Sequence, residues 1–277
     1  MESFPRWHVS TTQRNHLKTN KIRKKMNAGE MAYGCGIQYS SPTHVEWVGM
    51  AGFDFVEFSC CHVAVNPETL LDCLRAAEFY GVTSVARVGS VEPYEILNLL
   101  DIGVMGIHAS DVRTAKEART LAQICKFYPE GGRGLAGSRS MWTWGTSSTR
   151  EYMEEANSQI TAGFQLEHVD MLKELEAILD VDGIDYYLSG RRDISQCLGL
   201  YGDTDHPEVK AFEDKVADAV HARGKKMFTE CATTTVCVDL FLNSARDWLE
   251  EQRSVDRESC RDAQMGVSLV TAGKEKP

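Results

Sequence analysis

Glu167, closing the run Thr161-Ala-Gly-Phe-Gln-Leu-Glu167, and Asp193, closing Tyr186-Tyr-Leu-Ser-Gly-Arg-Arg-Asp193, each stand just past a short apolar stretch that reads as a buried parallel strand. Hard carboxylate oxygens at neighbouring strand ends could hold one divalent cation and leave positions open for substrate and water. The same pair also reads as two solvated loop acids, so the surroundings decide. His62 follows the second strand, Arg87 closes the third, Gln165 precedes Glu167 by two residues, and Asp101 ends the helix that begins after Arg87. An imidazole titrates near neutral pH, and a carboxylate on its other nitrogen would fix its tautomer, so His62 with Asp101 could serve as a general acid/base. Arg87 could hold a carbonyl or carboxylate oxygen through its planar fork. Each also has a structural reading: a hydrogen-bonded histidine at a strand end, and an aspartate that only stops its helix.

Positioning these groups requires a parallel sheet. From Met31 onward, short apolar runs alternate with longer amphipathic stretches, the rhythm of βα units. Strands are expected at Ala32 to Ile37, Phe53 to Phe58, Thr83 to Arg87, Val104 to His108, Ala162 to Leu166, Ile184 to Leu188 and Lys226 to Glu230. Helices are expected at Pro67 to Tyr80, where Leu70, Leu71, Leu74 and Ala77 recur at helical spacing, and at Pro93 to Leu100. The pattern is that of an α/β TIM-type (β/α)8 barrel with an irregular or incomplete eighth unit. No strand follows the seventh at the expected place; the charged stretch from Ser244 to Asp256 suits a solvated helix, and Gly266 to Val270 could supply the eighth strand late. Phe127 to Thr149, rich in Gly, Ser, Arg and Trp, is too long for an ordinary βα loop and is expected to form a lid or substrate wall on the catalytic rim. Its glycines lack P-loop or GxGxxG spacing.

Acidic residues outnumber basic ones by 40 to 30 in the 277 residues, and a net charge of −10 opposes attraction to nucleic acid or anionic lipid. A small-molecule partner is expected, with neither nucleic acid nor membrane. Nine cysteines without CxxC spacing fit reduced thiols in a cytoplasmic setting. No stretch approaches the roughly 18 apolar residues that cross a bilayer. Residues 1–19 read as a polar arm without a signal-peptide core, and residues 20–277 as one barrel domain with a divergent segment over 244–277.

Order and spacing then become family-specific. Ala51-Gly-Phe-Asp54, the histidine of Ser59-Cys-Cys-His62, Val85-Ala-Arg87, Leu99-Leu-Asp-Ile-Gly103, Gln165-Leu-Glu167, Leu179-Asp-Val-Asp-Gly-Ile-Asp185, Gly190-Arg-Arg-Asp-Ile-Ser195 and His206-Pro-Glu-Val209 follow one another in collinear order. The chain from about Asn20 to Asn243 thereby resembles the HpcH/HpaI aldolases, metal-dependent class II enzymes. The resemblance implies that Glu167 and Asp193 bind Mg²⁺ or another divalent cation such as Mn²⁺ or Co²⁺. It also implies that His62 is a base partnered by Asp101, and that Arg87 contacts the keto oxygen of a pyruvate-type substrate. Gln165, Gly190, Arg191 and Arg192 would line the substrate site. The implied activity is carbon–carbon cleavage of a 4-hydroxy-2-oxo acid in a homo-oligomer. Biosynthetic condensation with oxaloacetate or a related dicarboxylate, as in citrate-synthase-like relatives, is an alternative. A non-catalytic ligand-binding barrel is another. Two departures stand out. The usual Asp-Gly-Glu before the histidine is Ser59-Cys60-Cys61, and the usual Gly-Pro-Ala-Asp is Gly190-Arg191-Arg192-Asp193. An inward arginine there would favour a substrate with a second carboxylate.

Overall fold

The computed structural model describes residues 18–254. Its first compact unit extends to Cys237, and a second begins at Val238. In the first, six βα units succeed one another. The strands are β1 (Ala32–Ile37), β2 (Phe55–Ser59), β3 (Thr83–Val88), β4 (Gly106–Ala109), β5 (Thr161–Leu166), β6 (Tyr186–Ser189) and β7 (Ala232–Val236). The helices are α1 (Lys21–Ala28), α2 (Pro42–Ala51), α3 (Pro67–Phe79), α4 (Pro93–Ile102), α5 (Ala115–Cys125), α6 (Arg139–Thr143), α7 (Thr149–Gln159), α8 (Leu175–Leu179), α9 (Arg191–Cys197), α10 (Pro207–His221) and α11 (Cys237–Ser254). All pairings are parallel, in the order β6-β5-β4-β3-β2-β1-β7, so the sheet curls into an incomplete barrel of the TIM type.

Local sequence sets the element ends. Asn20 caps α1 by accepting from the Ile22 and Arg23 N–H groups. Proline opens α2, α3, α4 and α10, where a missing N–H costs nothing. A reciprocal Thr114–Glu117 box starts α5. The outer faces of the strands pack on the helices through Val56, Phe58, Ala86, Val88, Ile107 and Phe164, all fully buried. Inside the sheet, glycine makes room for rings: a Cβ at Gly34 would lie 2.1 Å from the Phe55 ring, and one at Gly163 2.2 Å from that of Tyr186. Helix α1 covers the ends where strands begin. Asn20 donates to the Met105 carbonyl, the Lys21 N–H to Thr83, and Arg23 to Ile160 and Asp185.

Three expectations are corrected. Lys226 to Glu230 is not a strand: Met227 makes a single bridge to Tyr187, and Phe228–Glu230 turns as a 3-10 helix. The chain reverses there because the Phe228 ring inserts into the interior against Phe55, His108 and Tyr186. Glu230 also caps the turn by accepting from the Met227 N–H. It is therefore the seventh unit that is reduced, without a helix, and β7 already takes the place beside β1 that an eighth strand was expected to fill. Gly266 to Val270 lies outside the described residues.

The long segment over 127–149 follows α5, contains α6 and leads into α7 ahead of β5, so it belongs to an αβ connection at the strand-start end and is not a wall of the opposite rim. Arg139 donates there to the Ile102 carbonyl and Glu78, and Arg133 to Asp101 and Tyr152. Several strands also begin two residues later than expected, at Phe55, Gly106 and Tyr186.

In the second unit the described part is α11, on which Val238, Phe241, Leu242, Trp248 and Leu249 are exposed. Among the described residues no helix is long and apolar enough to cross a membrane.

Candidate active site

At the ends where β3 to β6 finish, the sheet presents Arg87, Ser110, Gln165, Glu167 and the first turn of α9 together. Arg87 faces inward on β3; its Nε donates to Ser110 Oγ at 3.1 Å, and that hydroxyl donates to Gln165 Oε1 at 2.7 Å. The relay fixes the base of the guanidinium. Among the described residues neither Nη atom of Arg87 has a hydrogen bond, so the outer fork is free for a ligand oxygen.

Glu167 follows β5 directly and is almost wholly buried. Asp111 sits in the left-handed region at φ 55°, which turns its N–H onto Glu167 Oε1 at 2.9 Å. The other oxygen, Oε2, is buried with no partner. Burial, followed by the neighbouring Asp193 carboxylate, pushes the Glu167 pKa up to about 7, against the opposing pull of the Asp111 N–H and Arg87. Asp193 reaches this place because α9 starts just past Gly190, which directly follows β6, and carries the aspartate in its first turn. Gly190 is required for clearance: a Cβ would lie 2.1 Å from Glu167 Oε2.

Two adjacent carboxylates, one with a buried unpaired oxygen, fit a divalent cation, which would relieve both their repulsion and the unsatisfied atom. Among the described residues no group of three or more His, Cys, Asp or Glu forms a fuller cage. Mg²⁺ commonly takes one or two protein carboxylates and completes its shell with water and substrate oxygens.

The other expected residues fare differently. His62 lies in the turn after β2, exposed, with no hydrogen bond among the described residues. Asp101 does not pair with it. Helix α4 runs back from the end of β3 toward the start of β4, carrying Asp101 to the opposite end of the sheet, where it accepts from the buried Arg133 at 2.8 Å. Arg191 turns outward to Glu213 on α10, at 2.9 Å. Arg192 is exposed and, with Gln196, Gly199, Tyr201 and Gly202, lines an open cavity of about 670 Å³. Lys225 is committed to the Val181 carbonyl and the Tyr187 hydroxyl, away from the site. Ser110 and Asp111 escaped the sequence reading, although they follow β4 as Glu167 follows β5.

The sequence model of the HpcH/HpaI aldolase/citrate lyase family matches residues 33–263. A hydroxypyruvate/pyruvate aldolase of Sagittula stellata is 33% identical over 195 residues, covering 70% of this chain and 76% of that protein. A 4-hydroxy-2-oxo-heptane-1,7-dioate aldolase of Escherichia coli is 30% identical over 209 residues, covering 74% and 78%. The crystal structure of an HpcH/HpaI aldolase from Desulfitobacterium hafniense superposes with a TM-score of 0.77 at 25% identity, covering 84% of this chain and 97% of that one. The chain belongs to the HpcH/HpaI aldolase/citrate lyase family and is a carbon–carbon lyase.

Proposed function

We propose that the protein is a divalent-metal-dependent class II aldolase that cleaves a 4-hydroxy-2-oxo acid to a pyruvate-type acid and an aldehyde. The observation that carries this reading is the buried, unpartnered Glu167 Oε2 beside Asp193. Glu167 and Asp193 would hold Mg²⁺ or a similar cation, which supplies Lewis-acid stabilisation of the negative charge that develops on the keto oxygen. Arg87, anchored through Ser110, directs its free fork at the keto oxygen and adds charge that counts most in the transition state. Gln165 spends its carbonyl on Ser110, which leaves its amide N–H₂ to orient the substrate. His62, on the exposed turn at the same rim, takes the proton of the substrate's 4-hydroxyl. Arg192, exposed and without the carboxylate partner that holds Arg191, would meet an anionic group on the far end of the substrate. The eight cysteines among the described residues are unpaired, which supports a reducing, cytoplasmic setting. Homo-oligomeric assembly is part of the same proposal and is read by light scattering.

The test is release of the 2-oxo acid from 4-hydroxy-2-oxo-heptane-1,7-dioate, with Mg²⁺ and after chelation. Turnover that needs the cation and is lost in Glu167→Gln supports the reading. Equal turnover in chelator, or trapping of a lysine adduct by borohydride, would refute it.

A further inference from the structure

The interior of a TIM-type barrel is usually filled by Val, Ile and Leu. Here three titratable side chains cross it. Glu57 on β2 shares the inward face of Ser59, the register partner of Arg87, and Arg87 is in turn the register partner of His108 on β4. Glu57 Oε2 lies 2.5 Å from His108 Nδ1, and His108 Nε2 lies 2.8 Å from the Tyr186 hydroxyl of β6. Tyr186 in turn donates to Thr161, which also accepts from Asn20.

An apolar trio would fill this space without the cost of desolvating a carboxylate and an imidazole, so packing alone does not account for it. The exposure is graded. The His108 side chain is 1% exposed and that of Glu57 is 17%, so Glu57 is the accessible member of the pair, and it lies close enough to Arg87 to feel its charge. Its Oε1 has no hydrogen bond among the described residues. The charged and titratable groups around Glu57 are His108, Arg87 and Cys60, and the first two outweigh burial and hold its carboxyl below the ordinary range. By contrast, Asp101 lies at the far end of the sheet, and Ser59-Cys60-Cys61 brings no acid to His62.

We propose that Glu57, held by His108 and Tyr186 one layer below Arg87 in the sheet, is a catalytic acid/base and exchanges a proton with C3 of the 2-oxo acid. The proposal rests on the aldolase reading above. In cleavage, His62 takes the 4-hydroxyl proton, the C3–C4 electron pair becomes the C2–C3 double bond of the enolate, and the aldehyde leaves. The Glu57–His108 pair then gives its proton to C3 as the C2–C3 π electrons form the new C–H bond. The pair regains a proton from solvent as His62 releases one, so no proton is consumed. Run backward on pyruvate alone, Glu57 removes a methyl proton and returns one from solvent. His108 and Tyr186 are positioning residues that hold the carboxylate and set its proton affinity.

The experiment follows loss of the pyruvate methyl signal by proton NMR in D₂O with the full-length protein and Mg²⁺. Wild type should exchange only with the cation present. Glu57→Gln, which keeps the shape, should slow exchange about 10²- to 10⁴-fold while Mn²⁺ affinity changes less than about twofold. Exchange in Glu57→Gln within about threefold of wild type overturns the proposal and leaves the aldolase reading standing. A wild type that does not exchange with Mg²⁺ removes the enolate reading and this proposal with it. Should Glu57→Gln fail to fold by circular dichroism, Tyr186→Phe decides. A slower exchange with a displaced pH midpoint supports the proton chain, and an unchanged rate and midpoint overturns it.

Discussion

Cation affinity should depend steeply on pH through Glu167. In the metal-free protein its burial and the neighbouring Asp193 raise its pKa to about 7, whereas a cation needs the ionised carboxylate. Below that value each pH unit should cost about tenfold in affinity, so binding at pH 6 is about tenfold weaker than at pH 8, and at pH 5 about a hundredfold weaker. The proton belongs to the Glu167–Asp193 pair, and the midpoint reads the pair as a unit. The same rise acts on folding. A carboxyl whose pKa is raised in the folded state favours folding below the unfolded carboxylate range, and this stability is lost as pH climbs through about 7. The rise from the ordinary value of 4.5 corresponds to roughly 3 kcal/mol for the metal-free protein. Added cation should restore it, raising Tm more at pH 7.5 than at pH 5. The assay is titration of free Mn²⁺ by electron paramagnetic resonance from pH 5 to 8.5 at constant ionic strength. Affinity that is flat down to pH 5.5, or a slope that persists in Glu167→Gln, would refute the reasoning.

Gly190→Ala should abolish tight Mn²⁺ binding, because its Cβ would lie 2.1 Å from Glu167 Oε2 and displace the ligand; wild-type affinity by calorimetry would contradict the site's geometry. Asp101→Ala should act on stability, since the fully buried Arg133 side chain loses its ion partner. A cost of about 2–4 kcal/mol, lowering Tm by roughly 5–15 °C, is expected, and an unchanged melting curve would show that the pair contributes nothing. Arg192→Ala should lower kcat/KM for an aldehyde bearing a carboxylate at least tenfold more than for a neutral aldehyde, the loss of a charge-assisted contact of about 1.5–3 kcal/mol. Arg191→Ala, whose guanidinium is already held by Glu213, should show no such preference; the reverse pattern would exchange their roles.

Much of this architecture is legible in the sequence where one physical signal dominates. Ala32 to Ile37 is largely apolar and, apart from Tyr33, buried, and strand β1 has those bounds. That Glu167 and Asp193 lie side by side is legible because residues just past parallel strands are carried to the same end of the sheet. That logic does not extend to Asp101, in the last turn of α4, or to residues 127–149, after α5: helices run back antiparallel to the strands and deliver both to the other end. Strand β7 was hidden because Thr233, Thr234 and Thr235 carry β-branching without apolarity. The choice between Arg191 and Arg192 needs the phase of α9 and the position of Glu213, and neither is set by local sequence. Glu57, His108 and Tyr186 read as polar interruptions within strands, because only the closing of the sheet brings three distant strands to within hydrogen-bonding distance.

The central claim is that Glu167 and Asp193 hold the cation on which the 2-oxo acid is activated. A crystal structure with Mg²⁺ and oxalate, a planar mimic of the enolate, tests it most directly. The account predicts one cation with Glu167 Oε2 and an Asp193 oxygen at about 2.0–2.1 Å, oxalate chelating its open positions and the Arg87 fork on an oxalate oxygen. A cation bound elsewhere, or oxalate seated away from Arg87 with Glu167 and Asp193 left without metal, would contradict it.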